Sequence, residues 1–113
     1  MITLYGIPNC DTIKKARAFL NQHAIAYEFH DYKKQGIGAP LLKQWCHEFG
    51  YENVLNRRGT TWRKLDAETK DQINEESAIT LMQELPSLIK RPILVKDSKF
   101  LLGFNQSEYE SLL

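Results

Sequence analysis

Cysteine is the scarce reactive side chain in this sequence, present only at positions 10 and 46. Cys10 stands in the stretch Tyr5-Gly6-Ile7-Pro8-Asn9-Cys10-Asp11-Thr12-Ile13-Lys14-Lys15. The short apolar run before it reads as a strand, and Gly6, Pro8 and Asn9 read as a turn. A helix then begins. A thiol at a helix start faces backbone N–H groups that no preceding carbonyl can satisfy, and it lies at the positive end of the helix dipole. Both favour thiolate over thiol. Lys14, one turn further on, adds a nearby positive charge and is the candidate pKa-tuning residue. Lysine in a first helical turn opposes the dipole, so a local rule is broken where a reactive anion would profit. Cys10 is therefore the candidate nucleophile.

Cys46 has a different setting. Leu41, Leu42, Trp45, Cys46 and Phe49 recur at helical spacing after Ala39-Pro40, so Cys46 lies on the core-facing side of a helix and reads as a small buried hydrophobe. The two cysteines form neither a disulfide framework nor a metal-ligand spacing. His23, His30 and His47 have no ligand-spaced partners and read as surface or packing residues. No metal is expected.

The elements that must position these residues follow in order. Met1–Tyr5 is a strand and Asp11–Gln22 a helix with Ile13, Ala16 and Leu20 inward. Ala26–Tyr32 alternates as a second strand. Strand, helix and strand within about 30 residues make a βαβ unit with parallel strands. Lys33–Gly38 is a turn, and the helix from Ala39 ends at Gly50.

The basic stretch Val54–Lys64 reads as a loop, and periodicity does not separate a solvated basic turn from an anion-binding loop near the thiol. Leu65–Ile73 and Glu75–Leu85 are short helices, with one more helical turn over Pro86–Ile89. Ile93–Val95 and Lys99–Leu102 form a hairpin about Asp97-Ser98. Asn105 caps a last helix, Gln106–Leu112. A βαβ and a ββα around one mixed sheet give an α/β, thioredoxin-like fold. The expected core is about residues 1–36 and 88–113, with a helical insertion of about 37–87, all in a single domain.

At 113 residues and net charge +1 the chain has ordinary globular composition, and no charge excess calls for nucleic acid or an anionic membrane. It has no apolar run long enough for a membrane span. With no basic segment ahead of the first strand, no signal peptide is expected. A reducing cytoplasm is the expected compartment for an unbridged thiol. The protein is expected to be a monomer.

Three separated blocks carry a resemblance across essentially the whole chain. They are Tyr5-Gly6-x-x-Asn9-Cys10-Asp11-Thr12-x-Lys14-Lys15-Ala16, Asn56-x-Arg58-Gly59-Thr60-Thr61-Trp62-Arg63-Lys64-Leu65, and Ile89-Lys90-Arg91-Pro92-Ile93-Leu94. Together they resemble the arsenate reductase (ArsC/Spx) family, most closely its YffB-type branch. The resemblance implies that Cys10 is the redox nucleophile, that Arg91 stands on the pocket rim and that Pro92 is the cis-proline of thioredoxin-like folds. It implies an arginine of the Arg57-Arg58 pair in a basic pocket, Arg58 being the choice because Gly59 follows it. Asn9, Arg58, Arg91 and Pro92 are thus the candidate anion- and substrate-binding residues.

There are departures from the family pattern. Ile13-Lys14 stand where arsenate reductases of the family carry Ser-Arg, and Gly103-Phe104 where they carry a third arginine, so arsenate is expected to be a poor substrate. Ile13 also occupies the second cysteine position of the Spx C-x-x-C pair, which excludes a vicinal redox switch. The implied function is a monothiol oxidoreductase with glutathione as cosubstrate, acting on small or protein disulfides. The resemblance also implies an extended peptide pairing beside Pro92 and a glutathione carboxylate near Asn105. The alternatives are an arsenate reductase with a reduced arginine site and an Spx-like regulator that docks on RNA polymerase.

Overall fold

The computed structural model describes residues 1–113. The chain divides into two compact units. One joins Met1–Gln35 to Arg91–Leu113, and the other is Gly36–Lys90.

The first unit is built on a four-stranded sheet of order β2-β1-β3-β4, from β1 (Ile2–Gly6), β2 (Tyr27–Asp31), β3 (Ile93–Lys96) and β4 (Lys99–Leu102). β1 pairs parallel with β2 and antiparallel with β3, and β3 with β4 is antiparallel. In β1 the buried residues Ile2, Leu4 and Gly6 alternate with half-buried Thr3 and Tyr5, as the pleat requires. Helix α1 (Asp11–Gln22) crosses from β1 to β2 and buries Ile13, Ala16, Phe19 and Leu20. It ends where Ile25 N–H donates to Leu20 O at 2.9 Å and Ala24 takes φ 53°, a left-handed stop made without glycine. Helix α8 (Gln106–Glu110) is capped by Asn105, whose Oδ1 accepts from Glu108 N–H at 3.1 Å. It delivers Tyr109 to the core, edge-on to Phe19 at 5.7 Å and beside Phe104 at 4.8 Å. This β-α-β then β-β-α order on one mixed sheet is the thioredoxin-like architecture.

The second unit is helical. α3 (Ala39–Phe49) starts with Pro40 in its first turn, buries Leu42, Trp45 and Cys46, and stops at Gly50, whose φ of 85° suits only glycine well. α4 (Tyr51–Val54), α5 (Thr60–Arg63) and α6 (Ala67–Asp71) are single turns. α7 (Glu75–Glu84) begins with a reciprocal capping box between Asn74 and Ser77 and buries Ala78, Ile79 and Met82. A 3₁₀ turn, Pro86–Leu88, follows. Leu55 and Ile89 form an isolated bridge, bracketed by Asn56 N–H to Leu88 O and Lys90 N–H to Val54 O.

Local chemistry explains where the elements depart from expectation. The second strand stops at Asp31, and Tyr32 opens α2 (Tyr32–Gln35) instead of continuing it. Asp31 Oδ1 accepts from Lys33 N–H at 2.9 Å, and Gln35 Oε1 from Asp31 N–H at 3.1 Å. Those two bonds turn the backbone out of the ladder. The stretch Val54–Lys64 is not all loop, since α5 lies inside it behind Gly59. The helix expected over Leu65–Ile73 shortens to α6 because Asp66 caps it, accepting from Thr69 N–H at 2.7 Å.

Candidate active site

β1 runs out at Gly6, and Ile7-Pro8-Asn9 carry the chain to Cys10, the N-cap residue of α1. The register explains why the site assembles here. Tyr5 pairs with Ile93 of β3, so Arg91, two residues before Ile93, lies beyond the same end of the sheet from which the chain passes to Cys10. Pro92 is buried, and the Arg91–Pro92 peptide bond is cis. Pro92 O accepts from Gly103 N–H at 2.8 Å, which ties this corner to the strand behind it.

Cys10 is half-exposed. Burial pushes its thiol pKa up. The backbone N–H groups of Ile13 and Thr12 and the hydrogen-bonding, charged guanidinium of Arg91 pull it down, and the net result is a value below the ordinary one. The cation beside the thiol is Arg91. Lys14 points to solvent on the exposed side of α1, and its backbone N–H continues the helix by donating to Cys10 O at 3.0 Å. Lys14 is not among the groups that lower the thiol. Asn9 is exposed in the turn.

Gly6 sets how closely α1 approaches the strand. A Cβ there would collide with Ile13 Cδ1, lie 2.9 Å from Ile13 Cγ1 and touch Arg91 Cβ at 3.5 Å. Ile13 is completely buried, and its N–H is one of the two facing the sulfur. Gly6 and Ile13 together therefore fix the first turn of α1. Sequence reasoning used Gly6 only as a turn signal. Glycine at the end of a strand that feeds a helix was the available hint of close approach.

Cys46 is buried on α3, and desolvation followed by the charge of Glu75 pushes its thiol up to about 11, which leaves it protonated and unreactive at neutral pH. The basic stretch also lies in the helical unit. Arg57 stacks on Trp62, 5.4 Å from the ring centroid. Arg58 is exposed, its backbone held by Asn56 Oδ1 and by Arg63 Nη2. A Cβ on Gly59 would come within 3.1 Å of the Asn56 amide, so this glycine serves the local turn. At the end of the hairpin, Phe104 packs 6.3 Å from Phe19 and 4.8 Å from Tyr109. The position after Gly103 is thus part of an aromatic cluster. No group of three or more His, Cys, Asp and Glu side chains is placed to hold a metal ion. No helix is long and apolar enough to cross a membrane.

Known proteins share this arrangement over nearly the full length. The solved structure of the YffB (PA3664) protein superposes with a TM-score of 0.95 at 50% identity, over 98% of this chain and 97% of that one. An arsenate reductase (ArsC) related protein from Brucella melitensis superposes with a TM-score of 0.77 at 46% identity, over 97% and 92%. The global transcriptional regulator Spx of Streptococcus mutans is 32% identical over 115 residues, which cover 100% of this chain and 83% of the regulator. The sequence model of the ArsC family matches residues 5–112. With its cysteine at the start of α1, its mixed sheet and this match over almost every residue, the chain belongs to the ArsC family.

Proposed function

We propose that the protein is a glutathione-dependent monothiol oxidoreductase with Cys10 as its nucleophile. One observation carries the reading. Against burial, which raises it, the backbone N–H groups of Ile13 and Thr12 and then Arg91 hold the Cys10 thiol below its ordinary pKa, while the residue one turn away that could resolve a disulfide is Ile13. In the first step the Cys10 thiolate attacks the glutathionyl sulfur of a mixed disulfide. The Cys10–glutathione disulfide forms, and the substrate thiolate leaves and takes up a proton. In the second step a thiolate of free glutathione attacks the glutathionyl sulfur on Cys10. Glutathione disulfide is released and the Cys10 thiolate is restored. The net reaction converts the mixed disulfide and one free glutathione into the substrate thiol and glutathione disulfide.

Arg91 is the proposed anchor for an anionic group of glutathione, with Asn9 and Pro92 lining the same end of the sheet. Arg58 is the proposed second cation. Both arginines are exposed, but Arg57 is engaged with Trp62, which favours Arg58. The test is turnover of a small glutathione mixed disulfide. Cys10→Ser abolishes transfer and Cys46→Ser retains it. Arg91→Ala raises KM by roughly one to two orders of magnitude, the loss of a charged hydrogen bond of about 1.5–3 kcal/mol. If Cys46→Ser forms the first mixed disulfide but cannot turn over, Cys46 is the resolving thiol and the monothiol reading fails. Rapid arsenate reduction by the wild type, with Arg91→Ala leaving glutathione binding untouched, would favour an arsenate reductase instead.

The match to Spx, over all of this chain and 83% of the regulator, favours a second reading, transcriptional regulation by docking on RNA polymerase. A polymerase pull-down positive with both wild type and Cys10→Ser, beside absent thiol transfer, would select it.

A further inference from the structure

We propose that Asn56 and Arg63 are positioning residues: together they clamp the backbone of Arg58, so that one arginine of the basic stretch is held by another and presented to an anionic ligand. The stretch Asn56–Lys64 carries three arginines, each in a different setting. Arg57 lies over Trp62, 5.4 Å from its ring centroid. Arg63 turns its guanidinium back along the chain, where Nη2 donates to Arg58 O at 3.0 Å. Arg58 is exposed, and its guanidinium has no hydrogen bond, ion pair or ring contact within the chain.

A residue's two soft torsions lie on either side of its Cα, between two planar peptide groups. At Arg58 both of those groups are held. Its N–H donates to Asn56 Oδ1 at 3.1 Å, and its C=O accepts from Arg63. Fixing both planes fixes the direction of the Cα–Cβ bond, and only the side-chain torsions remain free. The holders are themselves anchored inside the helical unit. Asn56 N–H donates to Leu88 O at 2.6 Å, beside the Leu55–Ile89 bridge. Arg63 N–H donates to Gly59 O at 3.3 Å, and Lys70 Nζ donates to Arg63 O at 3.1 Å. Thr61 Oγ1 and Ser87 Oγ, 2.7 Å apart, tie α5 to the 3₁₀ turn. Arg63 could cap the start of α5 without Asn56. One bond on each side of Arg58 is what a loop needs to present a guanidinium, because backbone freedom removed in the free protein is not lost again on binding.

The inference rests on the proposed role of Arg58 as second cation, and its test separates the two. Backbone amide relaxation at Arg58 and Gly59 is measured in the wild type, Asn56→Ala and Arg63→Met. Each is assayed with a small glutathione mixed disulfide, alone and in the Arg58→Ala background. Asn56→Ala leaves the charge unchanged, so it separates holding from electrostatics. Both single variants are expected to loosen the two amides and to raise KM about three- to tenfold at unchanged kcat. In the Arg58→Ala background, itself raised in KM, the same changes are expected to add less than about twofold, because the path runs through Arg58. Unaltered amides in both variants overturn the clamp whatever the enzyme does. So does a loosened loop with wild-type KM, an Arg63→Met effect that Asn56→Ala does not share, or equal effects with and without Arg58. Should Asn56→Ala fail to fold, Arg63→Lys replaces it, since it keeps the charge without the planar fork. There a KM that follows the amides supports the clamp, and a wild-type KM with loosened amides assigns the effect to charge and overturns it. An Arg58→Ala variant with wild-type KM removes the role of Arg58 and the clamp with it, while turnover that still depends on Cys10 leaves the thiol chemistry standing.

Discussion

Adding one methyl group at Gly6 tests how the thiol is positioned. In Gly6→Ala the new Cβ meets Ile13 Cδ1 and Cγ1, and Ile13 has no free space because it is 0% exposed. Overpacking a closed core costs about 1–3 kcal/mol. Alanine recovers about 0.5–1 kcal/mol over glycine in a strand, since its unfolded chain has less freedom to lose. The net expected loss is about 0.5–2 kcal/mol, or roughly 2–8 °C in Tm for a chain of this size. The strain is relieved by moving the first turn of α1, which carries the Thr12 and Ile13 N–H groups away from the sulfur. Urea unfolding and the rate of Cys10 alkylation at neutral pH should therefore worsen together. Adding Ile13→Val removes the worst-placed atom, Cδ1, and should recover part of both. If Gly6→Ala is as stable as the wild type and its thiol equally reactive, the close contact does not set the site. If Ile13→Val worsens the variant further, the clash lies elsewhere.

Two further outcomes are expected. Cys10 should alkylate with a midpoint below the ordinary thiol value and Cys46 only toward about 11. Because the Cys10 thiolate is favoured in the folded state, the advantage of wild type over Cys10→Ser should be complete above the unfolded thiol pKa and fade as pH falls through the folded one, which paired urea titrations would read. Equal labelling of both thiols in the folded protein would remove the case for a tuned site. Tyr109→Phe should leave the protein as stable or up to about 1 kcal/mol more stable, since the Tyr109 hydroxyl is buried without a hydrogen-bond partner. A loss above about 1 kcal/mol in urea unfolding would show that the hydroxyl has a use.

Much of the fold was legible because periodicity marks amphipathic elements well. α1 and α3 follow from their apolar stripes and end signals, and the hairpin from Asp97-Ser98 between two apolar runs. The short elements were not. α2 begins at Tyr32, an aromatic that extends the alternation of β2, and only the Asp31 side chain reveals the turn. α5 has no buried residue and so no stripe to read. In the site, the helix-start thiol was local and visible. The pairing of Cys10 with Arg91 spans most of the chain and has no local signature, so it came from the family resemblance alone. The spacing of Lys14 gave a neighbour on the helix surface, not the direction of its side chain.

The sheet is closed by residues from opposite ends of the chain: Leu4 pairs with Leu94, and β1 has β3 as its second neighbour. On a ribosome, Cys10 emerges early while its activating guanidinium arrives at residue 91. Until β3 docks, the nascent thiol lacks that guanidinium and should be less readily ionised than in the finished fold. Reactivity thus doubles as a sign of completed synthesis. A chain truncated before Arg91 should keep only the helix-start contribution to its thiol, and so be less open to oxidation than the finished protein.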